Sequence, residues 1–174
     1  MTLGFSLKIN DVPNFFVEKI YIGLYDNGLI SMSKIAELAR EPKNVVPDSW
    51  KYIDTLRKAS GEYKGKIHTI RADTHDRWRP GMDIHMVIGN RTPARYQFIP
   101  EIKCKSIQSI IIEPKIDKFR HFRPHRIIVD GRYLGPTEMV QLAINDGFAS
   151  VDDFFAYFKT DFKGKIIHWT DCKY

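Results

Sequence analysis

Gly65-Lys66-Ile67-His68-Thr69-Ile70-Arg71, followed by Asp73, divides this chain. Before it, apolar residues recur at helical spacing; after it, they alternate as on strands. The stretch itself sets a cation, a hydroxyl and a second cation close together behind a glycine. A lysine of lowered pKa can act as a base, a threonine as a nucleophile, and an arginine as a clamp on an oxyanion or phosphate. Residues three apart on a regular strand face opposite sides, so Lys66 and Thr69 share a pocket only if the chain turns near Lys66. Gly65 is read as the residue that allows the turn, because glycine tolerates backbone angles that others avoid. The plainer reading of the same residues is a basic strand edge with a solvated lysine.

Downstream, Met82, Ile84, Met86 and Ile88 alternate with Asp83, His85 and Val87, which predicts a strand. Further strands are expected near Arg95 to Ile99, over Cys104 to Ile112 and from Arg126, where Ile127-Ile128-Val129 precedes an Asp130-Gly131 turn. Gly135-Pro136 opens a helix through about Asn145, proline suiting the first turn, and Gly147 closes it. Ser150 with Asp153 three residues later forms a variant capping box for a helix to Phe158. Lys165 to Trp169 reads as a closing strand. Upstream, Leu3 to Ile9 alternates as one strand, and Asn10 to Pro13 is a turn. Phe15, Phe16, Ile20 and Leu24 then define a helix to about Tyr25, ended by Asp26-Asn27-Gly28. Ser31 to Arg40 and Ser49 to Ala59 are expected as two more helices. This is an α+β pattern, a small β-barrel or curled sheet carrying helices.

A chain of 174 residues, 43% hydrophobic and 13% aromatic, is long enough to bury a core and is expected as one domain over residues 1–174. Its net charge of +6 favours an anionic partner. Cys104 and Cys172 imply neither a disulfide framework nor a zinc site. No signal peptide and no membrane-spanning stretch is visible, so a cytoplasmic protein with no membrane partner is expected. His68, His75, His85, His121, His125 and His168 lack a two-ligand spacing on a helix, and no metal or other cofactor is assigned. No Gly-rich phosphate loop occurs.

Three segments now converge. Gly65-Lys66 to Arg71 resembles the signature of the ASCH domain family, a branch of the PUA-like β-barrels. Arg77-Trp78-Arg79-Pro80-Gly81-Met82-Asp83-Ile84 is similar to that family's turn into a barrel strand. Asn145-Asp146-Gly147-Phe148-Ala149-Ser150, with Asp153-Phe154 and the terminal Ile166-Ile167-His168-Trp169, resembles its C-terminal helix pair. The resemblance covers roughly residues 60 to 172 plus the first strand and helix, and extends to ASCH proteins found in phage and prophage genomes. It implies a PUA-like small β-barrel flanked by helices, with residues 29–60 as a helical elaboration.

The resemblance also implies function. The family is proposed to bind RNA through a basic cleft, and some small members remove the acyl group from acetylcytidine with a lysine, a threonine and a glutamate. Those roles fall on Lys66, Thr69 and Asp146, the last an acid one methylene shorter than the family's. In the implied reaction Lys66 deprotonates Thr69, Thr69 attacks the amide carbonyl, and Asp146 orients the lysine or relays the proton. Arg71 or an amide near Gly65 stabilises the oxyanion. The alternative for these residues is structural: a Lys66–Asp146 ion pair, a β-forming threonine and a helix-end acid.

The strongest basic cluster is Lys115 to Arg126, where Phe119 and Phe122 stand among Lys118, Arg120, Arg123 and Arg126. Such a segment can combine phosphate contacts with base stacking. Arg77 and Arg79 add charge near the motif, and Trp78 is either a stacking platform beside the cleft or a core residue. The leading expectation is recognition of RNA or a nucleotide through Arg71, Arg77, Trp78, Arg79 and the basic cluster. Deacylation of a modified nucleoside comes next. Ribonuclease activity and a phage-type protein-interaction module remain as further readings.

Overall fold

Alternation, turn chemistry and helix caps produce eleven strands and four helices in residues 1–40, 64–114 and 125–174, the parts that the computed structural model describes. The helix expected over Ser49 to Ala59 lies outside the described residues. So do Lys118, Arg120 and Arg123 of the basic cluster. The chain divides into two compact units interleaved in sequence: Met1–Ile67 with Asp83–Lys103, and His68–Met82 with Cys104–Tyr174.

In the first unit, β1 (Thr2–Phe5) runs parallel to β5 (Asp83–Ile88), Thr2 opposite His85 and Phe5 opposite Ile88. The single strand expected to Ile9 stops at Phe5, and the Ser6 hydroxyl donates to the Lys8 carbonyl at 2.6 Å, bending the chain. A small hairpin follows, β2 (Lys8–Ile9) with β3 (Val12–Pro13). Asn10 and Asp11, at φ 49° and 62°, supply the two left-handed positions that a tight hairpin turn requires. Helix α1 (Phe16–Asp26) buries Val17, Ile20, Tyr21, Ile22, Gly23 and Leu24. It ends as its sequence predicts: Gly28 at φ 66° donates to the Tyr25 carbonyl and Leu29 to that of Leu24. Ser31 caps α2 (Met32–Ala39) by accepting from the Lys34 amide. Strand β5 also pairs antiparallel with β6 (Tyr96–Gln97) and β7 (Ile102–Lys103).

The second unit is built on an antiparallel sheet in the order β10-β9-β8-β11-β4. These strands are Arg132–Tyr133, Arg126–Val129, Ser106–Glu113, Phe162–His168 and His68–Arg71. Asp130 (φ 48°) and Gly131 (φ 84°) make the tight turn from β9 to β10. Helix α3 (Pro136–Asn145) matches its expected limits, and α4 (Val151–Tyr157) starts where the Ser150 hydroxyl accepts from the Asp153 amide. One sheet face is apolar: Ile70, Ile110, Ile112, Ile127, Val129 and Ile166 are all buried. Aromatic contacts bring α4 to that face, the Phe154–Phe158 rings lying 4.8 Å apart and Phe158–Phe162 5.0 Å. Among the described residues the strands form sheets of four, five and two strands, and none closes into a barrel. Among the described residues the edge strands β4 and β10 each pair on one side only.

Gly65 has a different task from the one its sequence suggests. It does not adopt a positive φ. A Cβ there would lie 2.2 Å from the Cα and the nitrogen of Gly23 in α1, so glycine is required by close approach and not by a turn. Gly65→Ala is therefore expected to cost about 3 kcal/mol or more by overpacking. Gly131→Ala, where a Cβ meets open space at φ 84°, should cost about 1 kcal/mol from backbone conformation alone. Urea unfolding of both variants checks the order, and equal midpoints would refute it.

Candidate functional site

Lys66 sits on the backbone of α1. Its amide donates to the Lys19 carbonyl at 2.8 Å, and its ammonium lies 4.8 Å from the centre of the Phe16 ring, a cation–π distance. The residue is 1% exposed. Lysines are seldom buried so fully, and the solvated strand-edge reading of this residue fails. Lys66 belongs to the first unit, whereas Thr69 and Asp146 belong to the second.

Within the second unit, β4 and β11 pair His68 with His168, Thr69 with Ile167, Ile70 with Ile166 and Arg71 with Lys165. The two histidine rings meet edge to face, 5.2 Å between centres, and both are fully buried. Asp146, the residue that caps α3, sets Oδ1 3.6 Å from His68 Nδ1. On the other side of the ring, Nε2 lies 2.7 Å from the Tyr174 hydroxyl, which also accepts from Asn145 Nδ2 at 2.8 Å. Gln108 holds the Tyr174 backbone in place: its amide donates to the Tyr174 carbonyl at 2.9 Å and its oxygen accepts from the Tyr174 amide at 3.0 Å. The same Gln108 amide donates to Asp130 at 3.0 Å.

Asp146, expected to act with Lys66 and Thr69, also has a neighbour that the sequence reading did not name. Its carboxylate faces His68, and strand alternation turns the Thr69 side chain away from the His68 side of β4. His168 is the other departure. Neither of its ring nitrogens has a hydrogen-bond partner among the described residues. Burial, with the neighbouring His68 adding to it and Asp130 opposing it, pushes the His168 imidazole down to about 3. Burial likewise raises the Tyr174 phenol and the Cys172 thiol above their ordinary values. Burial thus favours the neutral forms of His168, Tyr174 and Cys172.

Arg71 ends β4 beside an open cleft of about 380 Å³. Tyr157 and Phe158 at the end of α4, Lys159 and Phe162 complete its walls. Tyr157 is half exposed. Two cations and three aromatic rings in a space of nucleotide size can serve as a platform for a base carrying phosphate. Tyr157 and Lys159 escaped the sequence reading, since they look like the tail of an amphipathic helix until β4 is set beside them.

The other expected ligand residues are distributed differently. Arg77 is largely exposed, 3.8 Å from Asp73. Asp73 is a loop anchor: its carboxylate accepts from the Trp78 amide at 3.0 Å. Burial raises its pKa, but the Trp78 and Arg77 amides and the nearby cations outweigh that and hold it below the usual carboxylate range. Trp78 is 5% exposed, which favours the core reading of this residue over the stacking platform. Arg79 spans the same turn, donating to the Trp78 carbonyl at 2.8 Å, and Arg126 lies 3.9 Å from Glu113. No family model, curated protein or solved structure matches the chain. Among the described residues, no group of three His, Cys, Asp or Glu side chains is disposed to hold a metal, and no helix is long and apolar enough to cross a membrane.

The histidine pair makes a pH prediction. His168 has a lowered pKa in the folded state, so between about 6.5 and about 3 the unfolded chain binds more protons than the native one. The stability from this group is complete above the unfolded value and is lost as pH falls through that window. The urea midpoint of the wild type should fall from pH 7 to pH 5, before most carboxylates titrate. His168→Leu should flatten that slope; an unchanged slope would remove His168 as its source.

Proposed function

We propose that the chain is an ASCH-type protein of the PUA-like class whose Arg71 cleft recognises a nucleotide or an exposed RNA base. The supporting observation is that Arg71, the last residue of the sequence motif, opens onto a cleft of about 380 Å³ shared with Tyr157 and Lys159. Arginine offers a planar fork for phosphate, lysine a point charge, and tyrosine a ring on which a base stacks. The net charge of +6 favours the same class of ligand. The antiparallel sheet of the second unit and the order of the three sequence segments support the family reading.

Titration with nucleoside monophosphates and a short single-stranded RNA tests this. Arg71→Ala and Lys159→Ala should each weaken binding about tenfold, the loss shrinking as salt rises. Wild-type affinity in both variants would overturn the reading.

Deacylation of an acetylcytidine-type nucleoside has one observation in its favour, the burial of Lys66 at 1% exposure. A lysine withdrawn from water needs a structural or chemical reason. If that reason is chemical, wild-type protein converts acetylcytidine to cytidine and Lys66→Ala loses at least about a hundredfold in rate. Chromatographic separation of the two nucleosides reads the outcome. A folded wild type that leaves acetylcytidine intact excludes this substrate.

A further inference from the structure

The five-stranded sheet has two unlike faces. In an antiparallel ladder, residues directly opposite each other share a face. Tyr133 stands opposite Ile128, Ile128 opposite Ile111, and Ile111 opposite Lys163, which makes one row across β10, β9, β8 and β11. The next row runs Ser109, Lys165, Arg71 across β8, β11 and β4. Arg126 opposite Glu113 extends the same face, since Glu113 is two residues from Ile111. The reverse face holds the buried Ile70, Ile110, Ile112, Ile127, Val129 and Ile166.

The first face is open in its outer part. Tyr133 is 61% exposed, Lys163 and Ser109 are exposed, and Ile111 and Ile128 are half-buried. Its carboxylates are engaged. Glu113 lies 3.9 Å from Arg126, and Asp76 lies 3.0 Å from Lys165. Asp130 accepts from the Ser109 amide and hydroxyl and from Gln108. Lys163 makes no ion pair among the described residues. The Arg126 guanidinium lies 6.0 Å from the Tyr133 ring, so one flank joins a cation to an exposed aromatic surface. The face thus sets an exposed tyrosine and two half-buried isoleucines beside four cations, Arg126, Lys163, Lys165 and Arg71.

We infer that this sheet face is a track for single-stranded nucleic acid, leading from Tyr133 and Arg126 across Lys163 and Lys165 to Arg71 at the cleft. Three interstrand steps of about 4.8 Å separate Tyr133 from Lys163, room for more than one nucleotide. Tyr133 and the two isoleucines offer apolar surface to unstacked bases, and the cations follow the phosphates. A duplex keeps its bases stacked inside and could use only the charges. The track rests on the reading of the Arg71 cleft as a nucleotide site, and it adds a partner longer than that site can hold.

The two ideas separate experimentally. Fluorescence anisotropy with labelled oligouridylates of about three to twelve nucleotides measures the track, and calorimetry with uridine monophosphate measures the cleft. Affinity should rise with oligonucleotide length. Lys163→Glu and Tyr133→Ala should weaken the longer oligonucleotides about tenfold, and Lys163→Glu should lower the salt slope by about one. Both should leave uridine monophosphate binding unchanged, because neither side chain lines the cleft. Both positions are exposed, and circular dichroism confirms folding. Monophosphate binding with no gain from length would overturn the track and keep the cleft. Length-dependent binding sensitive to Lys163 but no monophosphate binding would keep the track and overturn the cleft. Equal affinity for duplex RNA or for polyglutamate competitor would overturn single-strand selectivity.

Discussion

Strand β11 is paired along seven residues with β8 and along four with β4, and the rest of the second unit depends on that double ladder. A ladder sets register, and register sets which side chains share a face, since a slip of one residue inverts every position. With Lys165 held opposite both Ser109 and Arg71, the sheet acquires one basic face and one apolar face. Gly164 marks how closely the chains pass: a Cβ there would lie 2.4 Å from the Arg71 carbonyl oxygen. The same register brings His68 to His168 and leaves Arg71 at the rim of the cleft.

A consequence is a polar core within an apolar one. His68, His168, Gln108, Asn145 and Asp146 are all buried, and the Tyr174 hydroxyl and backbone link three of them, His68, Gln108 and Asn145. Buried polar groups are tolerated when they are bonded to each other, and such networks tie elements together with directional contacts that apolar packing lacks. Here they connect β4, β8 and the end of α3 to the Tyr174 segment. His168 is held in its neutral form by the same burial.

Local chemistry was legible wherever it acts over a few residues. Asn27-Gly28, Asp130-Gly131, Gly135-Pro136 and Ser150 each announced a turn or a helix limit, because caps and tight turns are decided by the backbone angles and short bonds of neighbouring residues. Periodicity located α1 and β5, and runs of β-branched residues located β8 and β9. Short strands such as β7, two residues long, carry no period and could not be read. Gly65 was recognised as special for the wrong cause: a sequence shows the missing side chain but not what occupies its space, which here is Gly23. Trp78 posed the same ambiguity between core and surface, and burial resolved it.

The sequence by itself determined the α+β class, the basic character and the limits of the helices and longer strands. Each follows from composition or from contacts between near neighbours. Only the tertiary structure decided that Asp146 meets His68, that His68 lies against a histidine a hundred positions away, and that Tyr157 and Lys159 join Arg71 around one cleft. Those juxtapositions depend on strand register and helix placement, which are set by long-range packing that no local pattern encodes. The open basic face is the clearest case. Tyr133, Arg126, Lys163, Lys165 and Arg71 come from four strands, and their kinship exists only once the ladders are formed.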